Sequence, residues 1–147
     1  MRPQIFLGIV FFIFTVVQSL TTYNSLVNRR KAYLRLADFA KMADNNLNSN
    51  FYDIGKILSD SFGFSVDDNI TKNSFISIGI SDNDAKKIIE YTLNYRYMNI
   101  FELRDATTNF QTFALKASQA ADEQYRKNTY SLLCLPIFSL IFLILAI

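Results

Sequence analysis

The chain has 147 residues, 50% of them hydrophobic, and a formal net charge of +2. That is one domain's length with too little positive charge for a nucleic-acid surface. It has no histidine, no tryptophan and a single cysteine, so an intrachain disulfide is excluded and most metal, haem and triad chemistry lacks its ligands. The expectation is a non-enzyme with no cofactor and no metal site, held together by packing, with its apolar residues concentrated at the two ends.

Met1 and Arg2 precede the apolar stretch Ile5 to Val17, which has the length of a signal-peptide core, and Val17-Gln18-Ser19 offers a cleavage site. The helix need not stop there, because Leu20 to Val27 is only mildly polar and Arg29-Arg30-Lys31 then makes a sharp basic boundary. Ile5 to Val27 is long enough to cross a hydrocarbon core of about 30 Å. We read residues 1–27 as an uncleaved transmembrane anchor. Arg29, Arg30, Lys31 and Arg35 follow this segment, and Lys116, Arg126 and Lys127 precede the second apolar run, against Arg2 alone on the far side. Because Lys and Arg resist translocation, the insert is expected on the cytoplasmic or matrix side of a bacterial inner membrane or an organelle membrane. Arg29, Arg30, Lys31, Arg126 and Lys127 mark this topology and suit acidic lipid headgroups, at about 1 kcal/mol per cation. Tyr23 to Val27 reads Tyr-Asn-Ser-Leu-Val just past a membrane segment. This resembles the opening of LemA-family proteins, which are membrane-anchored helical bundles; the resemblance covers five residues, and this chain adds a C-terminal span.

No Gly or Pro interrupts the chain from there to Gly55. Leu26, Tyr33, Ala40 and Leu47 recur every seven residues, with Leu36 and Ala43 between them, which predicts a helix with one apolar face. A second stripe, Ala106, Phe110, Phe113, Ala117 and Ala120, steps by four and three toward Tyr125. The two stripes are expected to pack as an antiparallel stalk, 29–46 against 106–127, with Tyr33, Leu36, Ala40, Ala43, Phe110, Phe113, Ala117 and Ala120 at the contact.

Between the stalks a small cap is expected. Asn45 to Asn50 reads as a turn. Asn50 with Asp53 starts a helix from Phe51 to Ser61, which Gly63 ends. Phe64 to Val66 and Phe75 to Ile80 alternate like strands and, with Asp67-Asp68-Asn69 as the turn, predict a minor β-hairpin. Ser81 and Asp84 open a further helix through Ile88, Ile89 and Leu93 to about Arg96, continuing into Asn99 to Leu103. The acidic triplets at Asp67 and Asp82 lack the Gly and terminal Glu of a calcium loop and read as caps and turns. Asn69-Ile70-Thr71 is a glycosylation triplet of the kind chance supplies. Tyr91, Tyr95, Tyr97 and Phe101, with Met98 and Ile100, form an aromatic cluster that reads first as core and second as a docking face for a partner.

From Leu132 to Ile147 every residue is apolar except Ser139 and Cys134. With Thr129 to Ser131 the run reaches the ~20 residues a span needs, and Tyr130 sits at headgroup level. Pro136 is expected to kink it mildly. The fold class expected is mainly α, with an N-terminal anchor 1–27, an extramembrane helical domain 28–129 and a C-terminal transmembrane helix 130–147. The expected function is a non-catalytic, membrane-anchored accessory subunit. Its partners are membrane lipids and other membrane-protein subunits, or copies of itself. Two alternatives are a sensory or regulatory membrane protein whose insert responds to a ligand or partner, and a signal-peptide-bearing, lipid-anchored surface protein with Ala117, Ser118, Ala120 and Ala121 near its attachment signal.

Overall fold

The computed structural model describes residues 2–47, 53–64 and 69–147. They form five helices: α1 (Pro3–Asn45), α2 (Ile54–Phe62), α3 (Lys72–Ser77), α4 (Asp82–Asn94) and α5 (Ile100–Ala146), with a 3-10 turn, Tyr95–Tyr97, before α5. Among the described residues there is no strand. The outer ends of α1 and α5 are both long and apolar enough to cross a membrane, and only 6% of the most apolar window of each is buried. The chain divides into two compact units, Met1–Val27 with Asp122–Ile147, and Asn28–Ala121.

The first unit is held along a narrow seam. Gly8 lies so near Leu143 that an added Cβ would stand 2.9 Å from Leu143 Cδ1, the close approach that small residues permit between membrane helices. Thr15 and Ser139 are buried and their hydroxyls lie 3.0 Å apart. Each also reaches the carbonyl three residues back, Phe12 O at 2.8 Å and Pro136 O at 2.9 Å. A hydroxyl has one proton, so one of the pair donates across the seam while the other donates to its own helix. Pro136 has no N–H, which leaves the carbonyl of Leu132, four residues earlier, without its helical donor. Ser19 Oγ supplies the missing proton from α1 at 3.2 Å. Tyr23 and Tyr125 close the row, hydroxyl to hydroxyl, at 3.3 Å.

Replacing Ser19 by alanine therefore orphans a carbonyl in an apolar setting, at a cost of about 0.6–2 kcal/mol for a hydrogen bond between membrane helices. The expected result is an upward shift of the amide I band of an isotope-labelled Leu132 carbonyl. A band that does not move would mean that Ser19 is not its donor.

The second unit is built on rings. Phe39, fully buried on α1, meets Phe62 of α2, Tyr91 of α4 and Phe110 of α5 at centroid distances of 6.0, 6.3 and 5.6 Å. Tyr91 stacks on Phe110 at 4.3 Å, and Phe62 meets Phe75 edge-on at 5.2 Å. Each such pair contributes roughly 0.5–1.5 kcal/mol beyond its buried area. The Tyr91 hydroxyl, which could not be buried unpaired, shares a 2.8 Å hydrogen bond with Thr107.

Local chemistry sets the helix ends. Asp53 caps α2, its Oδ1 accepting from the amides of Gly55 and Lys56, and Gly63 ends it at φ 73° while donating to Ser59 O at 2.8 Å. The earlier start expected at Asn50 and Phe51 lies outside the described residues, as do Asn48 to Asn50 of the expected turn. Ser81 caps α4 by accepting from Asp84 N at 3.3 Å.

Three expectations need correction. Phe75 to Ile80 is not a strand; Ser65, Val66, Asp67 and Asp68 of the same hairpin lie outside the described residues. Thr71 N donates to Ser74 Oγ and Ser74 N to Thr71 O, which opens α3. Gly79, at φ 106°, donates to Ile76 O, and Ile80 donates to Phe75 O. These are the paired bonds of a glycine-terminated helix stop, with buried Phe75 and Ile80 as its apolar contact. The isoleucine alternation thus belongs to a helix end. Second, α4 does not run on into Asn99: Asn99 Oδ1 accepts from the amides of Phe101 and Glu102, and Glu102 Oε2 accepts from Asn99 N. This reciprocal cap starts α5 without any Gly or Pro. Third, the inner face of α5 is offset from the expected stripe. Leu103, Thr107, Phe110, Ala114 and Ala121 are buried, Ala106, Phe113 and Ala117 are half-buried, and Ala120 is exposed.

Candidate functional site

Tyr33 organises the contact between α1 and α4. It is buried, and its hydroxyl donates to Asp84 Oδ2 at 2.5 Å while accepting from Ser81 N at 3.2 Å. The Arg29 guanidinium stands 5.7 Å from the Tyr33 ring centroid, a cation over an aromatic face. Arg29 and Arg30 are half-buried and Lys31 is exposed. Arg126 is exposed and pairs with Asp122 at 2.9 Å, and Lys127 is exposed, its carbonyl accepting from Ser131 Oγ. Leu36, Ala40 and Ala43 are buried in the core with Tyr33. Lys87 Nζ lies 4.5 Å from the centroid of the half-buried Phe113 ring.

Of the cap's acidic residues, Asp84 accepts from the Tyr33 hydroxyl and Asp82 is paired with two lysines. Asp82 holds Lys72 at 2.6 Å and Lys86 at 3.6 Å, and the hydrogen bond from Lys72 keeps its carboxyl below the ordinary aspartate range. Among the described residues no group of three or more Asp, Glu or Cys side chains is placed to share a metal ion.

The aromatic cluster divides. Tyr91 is core, stacked on Phe110, and Tyr95 is half-buried with its hydroxyl accepting from Arg96 Nε at 3.2 Å. Tyr97 and Phe101 face solvent at 88% and 76% exposure, with Leu93 and Ile100 also exposed. Leu93 is in the last turn of α4, Tyr97 in the 3-10 turn, and Ile100 and Phe101 in the first turn of α5. Sequence reasoning placed Tyr97, Ile100 and Phe101 in one cluster and missed Leu93, which it read only as part of a helix running on toward Asn99.

Beside this tip is a cleft of about 420 Å³ between α2, the start of α3 and the end of α4. Ile54 and Leu58 form its deep wall, Ile70 and Ile89 its sides, and Lys72 and Arg96 are its cations. The sequence had singled out none of these as binding residues. They come from segments whose proximity depends on α2 and α4 sharing one core. Comparison with known proteins finds no family model, no curated protein and no solved structure that matches this chain.

Proposed function

We propose that the chain is a non-catalytic, membrane-anchored accessory subunit of a larger membrane assembly, and that its helical insert docks on partner subunits. In this reading residues 1–27 and 130–147 are the anchors. Residues 29–46 and 106–127 pair as an antiparallel stalk, a pairing supported by the contact of Phe39 with Phe110. The basic residues beside both apolar segments favour a cytoplasmic or matrix position for the insert.

The observation that carries the docking role is the exposed tip. Leu93, Tyr97, Ile100 and Phe101 leave large apolar side chains in water at one turn, although Tyr91 and Phe110 nearby show that the same fold can bury aromatics. Exposed aromatic clusters of this kind mark interaction surfaces, where Tyr and other large side chains supply most of the binding energy.

Extraction of native membranes in mild detergent is expected to yield the chain within a defined complex. The variant Tyr97→Ser with Phe101→Ser should release it while leaving helix content unchanged, since neither side chain contributes to the core. Protease added to the cytoplasmic face of sealed vesicles should cut the insert. A wild-type chain recovered only as a monomer would sink the docking role, and an insert cut only from the opposite face would sink the topology.

A further inference from the structure

The cleft beside the tip shares Leu93 with it and is otherwise lined by residues that the docking role does not use. Its volume of about 420 Å³ falls within the ~300–1,000 Å³ of small-molecule pockets. Its floor is made of branched apolar side chains, Ile54, Leu58, Ile70 and Ile89, which reward an aliphatic body by about 25 cal/mol per Å² removed from water.

Two of the polar groups at the rim are already spent. Thr92 Oγ1 donates to Ile89 O at 3.0 Å, and Lys72 is paired with Asp82. Arg96 gives its Nε–H to the Tyr95 hydroxyl, which leaves the four N–H groups on its two terminal nitrogens, a fork that suits a carboxylate or a phosphate. No carboxylate lines the cleft among the described residues. The nearby Asp53, which also acts on Arg96 through its charge, has its Oδ1 engaged in capping α2.

We propose that this cleft binds a single-chain anionic amphiphile, with the alkyl chain against Ile54, Leu58, Ile70 and Ile89 and the acidic head on Arg96. An apolar floor alone would accept any alkyl chain. The guanidinium at one end, in a cleft that no carboxylate lines among the described residues, selects the anionic head and rejects a cationic one. The head is a carboxylate if the ligand is a fatty acid and a phosphate if it is a phosphorylated lipid. A chain with two apolar segments of spanning length has access to both.

The test uses the full chain in lipid nanodiscs with labelled isoleucine methyl groups, so that the cleft and the apolar segments are read in one spectrum. The probes are octanoate, octyl phosphate, octanol and octyltrimethylammonium. Octanoate, octyl phosphate or both are expected to shift the Ile54, Ile70 and Ile89 methyls saturably, and the one that does so identifies the head. Octanol and octyltrimethylammonium should not do so at the same concentration. Arg96→Gln should weaken the response about tenfold, the loss expected for one charge-assisted contact. Arg96 is exposed, so the remaining methyl signals should stay in place. An equal response to all four probes, no response in the cleft, an unchanged affinity in Arg96→Gln, or shifts confined to Ile5, Ile9, Ile13, Ile137 and Ile141 would each overturn the proposal. The last pattern is simple partition into the bilayer.

Discussion

Replacing Phe39 by alanine is expected to destabilise the insert by about 3–5 kcal/mol, the cost of deleting a fully buried ring whose site cannot collapse. Phe39 touches a ring from each of α2, α4 and α5, so no single element can move in to fill the space. Phe110 is held by its stack on Tyr91, and Tyr91 by its bond to Thr107. Phe62 is held by its contacts with Phe64 and Phe75. For a unit of this size total stability is roughly 5–14 kcal/mol, so the substitution removes a large part of it. Urea denaturation of the full chain in nanodiscs, followed by tyrosine near-UV circular dichroism, should show a lower midpoint. Phe39→Leu, which keeps most of the volume, should cost under about 1.5 kcal/mol. A loss below about 1 kcal/mol for the alanine variant would show that Phe39 is not the centre of this core.

The parts of this fold that the sequence disclosed are those fixed within a few residues. The two apolar ends, the Asp53 and Ser81 caps and the Gly63 stop depend on neighbouring atoms, and local spacing is enough to see them. What escaped depends on distant partners. Thr107 was passed over as polar, yet it is fully buried because Tyr91, sixteen residues away, takes its hydroxyl. Admitting Thr107 to the inner face rotates the α5 stripe, which turns Ala120 outward and Ala114 inward. Phe39 was not named because Leu36 and Ala40 already filled the seven-residue pattern. It lies three residues beyond Leu36 on the same face.

The seam between the apolar ends follows the same rule. Ser19 reads in the sequence only as part of a cleavage site, and its bond across the seam depends on Pro136 freeing the carbonyl of Leu132. The exposed tip was half legible: an aromatic surplus was evident, but which rings turn outward depends on a cap formed by Asn99 and Glu102. The cleft was not legible at all, since its walls come from three segments that are brought together only by the ring core.

A comparison of two glycines separates backbone strain from crowding. Gly63 and Gly79 both have positive φ, 73° and 106°, and both end helices. A Cβ at Gly63 would meet nothing within 4 Å, whereas at Gly79 it would lie 3.1 Å from Arg29 Cα and 3.3 Å from Arg29 N. Those are backbone atoms of α1 and cannot rotate aside. Gly63→Ala is therefore expected to cost only the conformational penalty, about 1–2 kcal/mol. Gly79→Ala should cost about 2–4 kcal/mol, because the same penalty is joined by overpacking against a helix. The two should also differ in where the damage appears. Relief of the contact at Gly79 must push its turn away from α1, which draws Ser81 N from the Tyr33 hydroxyl and loosens the bond from Ile80 N to Phe75 O. Hydrogen exchange at the amides of Ile80 and Ser81 should accelerate in Gly79→Ala and stay near wild type in Gly63→Ala. Equal costs and equal exchange in the two variants would mean that the approach of Gly79 to α1 is not a determinant of this fold.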